Sequence, residues 1–280
     1  MHFDRVFYQK IKEQVETSER AYKKRYGWVA VLATVLVGLL LVYLSREGKF
    51  EDFRLLGVLA FPFIFYTLGK RVYSDKAEGL LLQKLAEENG GNYRESFTVG
   101  IEQAVMFRQG HDQRGWREIS FKDSSGESIR FFRYSFVIGY GKNKMTFNYH
   151  VFSVRNLGIA PHIYLNYKKN KYSMSLGKVL SLPTEFEKNF TMSIPEGYHL
   201  EALQIFTPDV LEKILNLQLK CDIEIVNGEV FFFLENIGSI FKDFAEVETQ
   251  VETAKTLVSL IKPKLNNLRW APVGDKSFSL

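Results

Sequence analysis

Two apolar stretches near the N-terminus decide how this chain is read: Trp28-Val-Ala-Val-Leu-Ala-Thr-Val-Leu-Val-Gly-Leu-Leu-Leu-Val-Tyr-Leu44 and Leu55-Leu-Gly-Val-Leu-Ala-Phe-Pro-Phe-Ile-Phe-Tyr-Thr-Leu68. A helix crossing the hydrocarbon core of a bilayer needs about 20 mostly apolar residues, with about 17 as a lower limit. The first stretch meets that limit without a charge. The second meets it when Phe53 and Arg54 are included, with the Arg54 guanidinium reaching back to the interface. Within lipid every backbone amide is satisfied inside its own segment, so both stretches are expected to be helical. Pro62 removes one such bond and kinks the second helix. The pair predicts a transmembrane hairpin, with spans at about 27–45 and 53–70; two buried core helices are the alternative.

The flanks support that expectation. Trp28, Tyr43, Phe53, Arg54 and Tyr66 fall where an interfacial belt belongs and are the candidate membrane-anchoring residues. Basic residues crowd the outer ends: Arg20, Lys23, Lys24 and Arg25 before the first stretch, Lys70, Arg71 and Lys76 after the second. The connecting loop holds only Arg46 and Lys49, with Arg54 at its edge. The positive-inside rule then predicts a multi-pass protein of the inner or plasma membrane with both termini cytoplasmic. Lys23, Lys24, Arg25, Lys70 and Arg71 are the candidate contacts for anionic headgroups, which suit the net charge of +5. The long leader and the poor site at Ser45-Arg46-Glu47 favour a retained anchor over a cleaved signal peptide. Nucleic acid is excluded as a partner because no binding motif accompanies the charge.

The remaining chain reads as α+β. Residues 1–26 predict an amphipathic helix, with Phe3, Val6, Phe7, Ile11 and Val15 at helical spacing. Its mixed charge favours packing over lying on a membrane surface. In the cytoplasmic domain, 73–262, a helix over 75–88 is closed by Asn89-Gly90-Gly91-Asn92. A mainly antiparallel β region over 93–238 comes next. Strands are expected at Ala104–Arg108, Gly115–Phe121, Ser128–Ile138, Met145–Val154 and His162–Tyr167, with turns at Asp123–Gly126 and Gly139–Asn143. Both faces of Phe131–Phe136 are expected to be covered. Glu201–Phe206 reads as a strand, Thr207-Pro208-Asp209 as the start of a helix. Asn227-Gly228 reads as the type I′ turn of a hairpin. A helix over 240–262 carries a heptad seam that packs internally or against a coiled-coil partner. Pro263 ends it, and 263–280 forms a tail.

One block resembles a known family. Phe186-Glu187-Lys188-Asn189-Phe190, then Ala202, Thr207-Pro208 and the helix Leu211–Leu217, resemble the late part of a bacterial family known as domain of unknown function 3137. Pro195-Glu196-Gly197-Tyr198-His199 departs from that family's usual short acidic turn. The resemblance implies two spans near the N-terminus followed by a β-rich cytoplasmic domain, and it implies no activity or catalytic residue.

No catalytic, cofactor or metal site emerges. The five histidines, His2, His111, His150, His162 and His199, lack ligand spacing, and the lone Cys221 builds neither a disulfide nor a thiolate zinc site. His111-Asp112 is an acid/base pair in a polar loop, more simply read as solvated. His150 and His162 are read as satisfied histidines on a sheet. Gly139-x-Gly141-Lys142 lacks the other features of a phosphate loop. Glu185 and Glu187 are read as surface charge on a strand face. The expected function is a membrane-anchored cytoplasmic binding or scaffold module whose partners are the bilayer and another protein or a second copy. Its alternatives are a membrane-associated hydrolase with a dispersed site around His111 and Asp112, and an accessory subunit of a transport complex.

Overall fold

In the computed structural model the described residues are 5–46, 78–100, 104–122, 126–158, 160–235 and 244–268. The chain divides into two units, His2–Leu81 and Leu82–Leu280.

The first unit contains α1 (Arg5–Arg46), a helix of 42 residues. It passes through Gly27 without a break, so the amphipathic segment and the first apolar stretch are one element. A Cβ added at Gly27 meets nothing within 4 Å. Trp28 (69% exposed) and Tyr43 lie on its surface, as do Lys23, Lys24 and Arg25. Among the described residues no helix is long and apolar enough to cross a membrane. This overturns the expected first span, and with it the transmembrane hairpin and the multi-pass address with both termini cytoplasmic. The apolar stretch is no separate segment but the second half of α1, whose residues 5–26 carry charges of both signs. The second stretch, with Phe53, Arg54, Tyr66, Lys70 and Arg71, lies outside the described residues.

The second unit is dominated by one nine-stranded sheet, so the expected layout, a helical hairpin with a β domain appended to it, does not hold. Helix α2 is described over 78–88. Gly90 (φ 62°) and Gly91 close it, with the Gly91 amide bonded to the Ala86 carbonyl at 2.8 Å. That is the left-handed cap predicted from Asn-Gly-Gly. The strands are β1 (Asn92–Phe97), β2 (His111–Lys122), β3 (Ser128–Ile138), β4 (Met145–Arg155), β5 (Ile163–Tyr167), β6 (Lys178–Leu180), β7 (Phe190–Ile194), β8 (Asp222–Val226) and β9 (Glu229–Glu235). Their order is β1-β2-β3-β4-β9-β8-β5-β7-β6, and every pairing is antiparallel. The first four form a meander. Asn227 (φ 52°) and Gly228 (φ 72°) make the tight turn of the β8–β9 hairpin, as an Asn-Gly pair requires. Strands β2 to β5 depart little from expectation, the expected turn at Asp123–Gly126 lies largely outside the described residues, and Ala104–Arg108 is not a strand but a 3-10 turn at Val105–Arg108.

Register sorts the side chains onto two faces. Phe132 pairs with Val151, Val151 with Phe233, Phe233 with Asp222, and Tyr164 with Glu224. On this face Phe132, Tyr134, Phe136, Phe147, Tyr149, Phe231 and Phe233 form a buried aromatic cluster. Its cover is irregular chain: Val99, Ala104, Met106 and Phe107 from one loop, Tyr172, Met174 and Leu176 from another. Phe107 meets Tyr134 and Phe231 edge to face, at 4.9 and 5.5 Å between centroids, the arrangement that ring quadrupoles favour. We call these two loops the straps.

The other face carries Phe131, Phe152, Phe232, Ile223, Leu165 and Met192, all buried. Helices cover it: α3 (Thr184–Glu187), α4 (His199–Ile205), α5 (Pro208–Asn216) and α6 (Phe244–Asn267). Ile214 and Leu215 of α5 border the same hollow as Tyr167 and Phe190, which places α5 on this side. Helix α6 touches α4 and α5 and buries Val251, Ala254, Leu257, Val258, Ile261 and Leu265. From Val251 onward the seam is thus consumed within the fold. Pro263 sits inside α6 instead of ending it, so the Ser259 carbonyl forfeits its helical partner.

The expected strand at Glu201–Phe206 is helix α4. Ala202, Ile205 and Phe206 are buried while Leu203 is exposed, a three-and-four spacing too short to outweigh the apolar content in sequence. Thr207 precedes α5 as predicted but makes no cap; its hydroxyl accepts from Lys264 at 2.7 Å, and Lys264 also pairs with Asp209. Glu185 and Glu187 lie on α3, not on a strand face. Glu187 accepts the Leu182 amide at 2.7 Å, and Glu185 pairs with Lys188.

Candidate functional site

The strap-covered face is rich in buried polar groups, because irregular chain brings unpaired backbone amides that need acceptors. Glu224, fully buried, accepts from the Val105 amide at 2.6 Å and the Met106 amide at 3.4 Å. The same carboxylate holds His162 Nε2 at 2.6 Å. Glu235 accepts from the Lys171 amide at 2.7 Å, Asn166 Oδ1 from the Met174 amide at 3.3 Å, and Ser193 Oγ from the Leu176 amide at 2.9 Å. Tyr172 donates to Gln109 Oε1 at 2.7 Å and links the two straps. Each strap is pinned by side chains that rise from the sheet.

One end of this face carries an ion-pair ladder across five strands. Glu118 receives Arg94 and Arg130, each Nε at 2.6 Å. Glu229 receives Arg155 Nε at 2.5 Å and the Ser153 hydroxyl at 2.6 Å, with Arg130 at 3.7 Å. Glu118, Arg130 and Glu229 are buried. Burial of such charges is tolerated only when they are mutually paired, and here the charges alternate in sign.

Near the centre of the face lies a different cluster. Asp222 Oδ1 accepts the Tyr167 amide at 2.6 Å. Its Oδ2, the hydroxyls of Tyr149 and Tyr164, and Asn170 Nδ2 are buried as well. Burial pushes the Asp222 carboxyl up to about 7, with Glu235 adding to the rise. Burial and the neighbouring Asp222 carboxylate raise both tyrosines well above the ordinary phenol range.

The residues singled out in sequence take separate structural roles. His111 stacks on Tyr140, 4.5 Å between centroids; its Nε2 lies 2.9 Å from the Gly139 carbonyl and its Nδ1 3.3 Å from Asp112. Both ring nitrogens are engaged, and Asp112 is drawn to Lys144, so the pair has no nitrogen to offer a substrate. His150 is buried against Phe131 and accepts from Arg133 Nε at 3.0 Å. Burial, then Arg133, lowers its pKa to about 3. His162 is the partner of Glu224. Cys221 is fully buried and its thiol pKa is raised by burial, which suppresses the nucleophilic thiolate. Gly139 and Gly141 shape the β3–β4 turn. Among the described residues no three His, Cys, Asp or Glu side chains are grouped to hold a metal ion.

A site absent from the sequence reading lies beside β1, an edge strand. A cleft of about 500 Å³ is lined by Ser96, Phe97, Thr98, Gln113, Arg114, Gly115, Trp116 and Ser135. Gly115 is required there: a Cβ would come within 2.7 Å of the Phe97 ring and of Val99 Cγ2. The bulge between Trp116 and Ile119, with Arg117 at φ 54°, aims the neighbouring side chains. Trp116 is half-buried and Arg114 exposed. Arg114 makes no ion pair or hydrogen bond among the described residues, whereas Arg94, Arg117, Arg130 and Arg155 all meet carboxylates. The sequence signal was slight, an Arg-Gly-Trp within a strand.

No family model and no curated protein matches the chain. A solved structure similar to it is the crystal structure of the mycobacterial trehalose monomycolate transport factor A, TtfA. The identity is 13% over 70% of this chain and 98% of that one, with a TM-score of 0.48. At that score the likeness carries no functional inference.

Proposed function

We propose that this chain is a non-catalytic binding module and that the cleft beside β1 docks an acidic segment of a protein partner. The observation that carries this reading is Arg114, an exposed guanidinium without a counter-charge among the described residues, next to the aromatic walls of Phe97 and Trp116. Arginine is suited to this role because its planar fork binds a carboxylate in bidentate fashion. The resemblance to domain of unknown function 3137 belongs to the same proposal and adds no activity to it. The engagement of both His111 nitrogens speaks against the hydrolase alternative.

The test is a titration of the full chain with a synthetic glutamate-rich peptide bearing a C-terminal phenylalanine, at low salt, followed by tryptophan emission. Trp116→Phe assigns the signal. Arg114→Ala is expected to weaken binding about 10- to 100-fold, the worth of a charge-assisted hydrogen bond, with a melting temperature close to that of the parent. Equal affinity for the parent and Arg114→Ala contradicts the proposal, as does equal binding of a glutamine-for-glutamate peptide.

A further inference from the structure

The sheet ends in two edge strands, β1 and β6, and an edge strand leaves every second N–H and C=O without a ladder partner. The two edges are built differently. Strand β6 has three residues, Lys178–Leu180, and Lys178 is exposed; shortness and a lysine are common guards against pairing with another chain. Strand β1 has six residues. Arg94, Glu95 and Ser96 are exposed in succession, so both faces of the strand lie open there. Its charges are answered by its neighbour β2: Arg94 Nε meets Glu118 at 2.6 Å, and Glu95 lies 3.7 Å from Arg117. Neither charge is left to repel an incoming strand. Among the described residues β1 pairs with β2 alone, and no backbone bond from Asn92–Phe97 leads elsewhere.

This edge opens onto the Arg114 cleft. Ser96 stands opposite Trp116, and Arg114, two residues along β2, stands opposite Ser135. Cross-strand partners share a face, as do residues two apart. Ser96, Trp116 and Arg114 therefore lie on one side of the sheet, and all three line the cleft. The small side chain of Ser96 is what stands between the edge and Trp116. A strand added outside β1 lies two strand spacings, about 10 Å, from β2, a gap that a glutamate of that strand and the Arg114 side chain bridge together. Strand addition supplies what a lone arginine does not. Backbone bonds along β1 provide affinity, and every second side chain of the incoming strand faces the cleft.

We propose that the acidic partner segment binds in extended form, as an additional strand hydrogen-bonded to the outer edge of β1, with its alternate carboxylates directed over Ser96 to Arg114. The inference rests on the docking reading above and adds a geometry to it.

The test uses the full chain and a synthetic peptide of alternating threonine and glutamate with a C-terminal phenylalanine. Two further forms are made, one N-methylated on the glutamate amides and one on the threonine amides. In a strand the amides of successive residues point to opposite sides, so one form loses its bonds to β1 and the other keeps them. One form is expected to bind roughly 10- to 100-fold more weakly than the parent peptide, the worth of a few backbone hydrogen bonds, and the other with nearly the parent affinity. Equal affinities of the two forms, whether both bind or both fail, overturn strand addition. If the parent peptide still depends on Arg114 in that case, the docking reading stands and only its geometry falls. A parent peptide that binds the chain and Arg114→Ala alike, or binds neither, takes down both. Amide hydrogen exchange gives an independent readout. Every second amide of Asn92–Phe97 is expected to exchange freely in the chain alone and to slow by roughly 10-fold or more at saturating peptide. Unchanged exchange overturns the proposal. So does protection of these amides before peptide is added, which would mean that a second copy already holds the edge.

Discussion

The two faces of the sheet are buried to the same degree by opposite means. On the helix side, α4, α5 and α6 satisfy most of their own backbone, so the sheet presents mainly hydrocarbon, Phe152, Phe232, Ile223, Leu165 and Met192, with the buried His150 beside Phe131. On the strap side the cover has no internal ladder. There the strands carry Asp222, Glu224, Asn166, Ser193 and Glu229 among their aromatic residues, all buried, and Glu224, Asn166 and Ser193 each receive an amide from a strap. Whatever covers a sheet thus dictates the chemistry beneath it. Regular cover permits an apolar face, and irregular cover demands acceptors.

The largest expected effect breaks the helix side. Phe232 is fully buried against Phe152, 5.9 Å between centroids. Phe232→Ala is expected to cost about 3–5 kcal/mol in denaturant unfolding, through lost hydrocarbon alone. The loss should be global, lowering protection throughout the sheet.

Next in size is a pH effect that distinguishes the two sides. Asp222, under the straps, has a folded pKa of about 7 against an ordinary 3.8. The folded chain therefore binds the extra proton between those values. Stability from this group is present below about pH 4 and is lost as pH rises towards 7, by up to about 4 kcal/mol. His150, under the helices, has a folded pKa of about 3 against 6.5, so its contribution runs the other way and is lost as pH falls from about 6.5 to 3. Asp222→Asn should remove the first slope and leave the second, as read from urea midpoints between pH 4 and 8. A profile unchanged by Asp222→Asn would show that the carboxyl is not held neutral.

Smaller is Glu224→Gln, which keeps the shape but weakens bonds to Val105, Met106 and His162. A loss of about 2–3 kcal/mol is expected in equilibrium unfolding, the scale of hydrogen bonds to a charged group. A change within about 0.5 kcal/mol, the scale of an ordinary surface substitution, would mean that the pin carries no strain of the strap.

How far these features could be read from sequence depends on their range. The Asn227-Gly228 hairpin, the Gly90-Gly91 cap and strands β2 to β4 are encoded within a few residues and stand where local grammar puts them, whereas β1 at Asn92–Phe97 is not expected from sequence. The transmembrane reading failed on a long apolar run that belongs to one continuous helix, α1. Helix α4 failed because seven residues show too little periodicity. The strap pins were invisible for a deeper reason. Asp222-Ile-Glu224-Ile alternates as a strand with one wet face does, and nothing local reveals that irregular chain lies over the polar side. The same holds for the Arg114 cleft, which needs the distant Phe97 and Ser135 to exist.

Amide hydrogen exchange of the full chain, resolved residue by residue, tests most directly whether buried side chains hold the straps in place of a backbone ladder. Val105, Lys171 and Leu176 sit in irregular chain, and each donates to Glu224, Glu235 or Ser193. Protection of these three amides approaching that of β8 and β9 is the predicted result. Exchange at the rate of an open loop would contradict it.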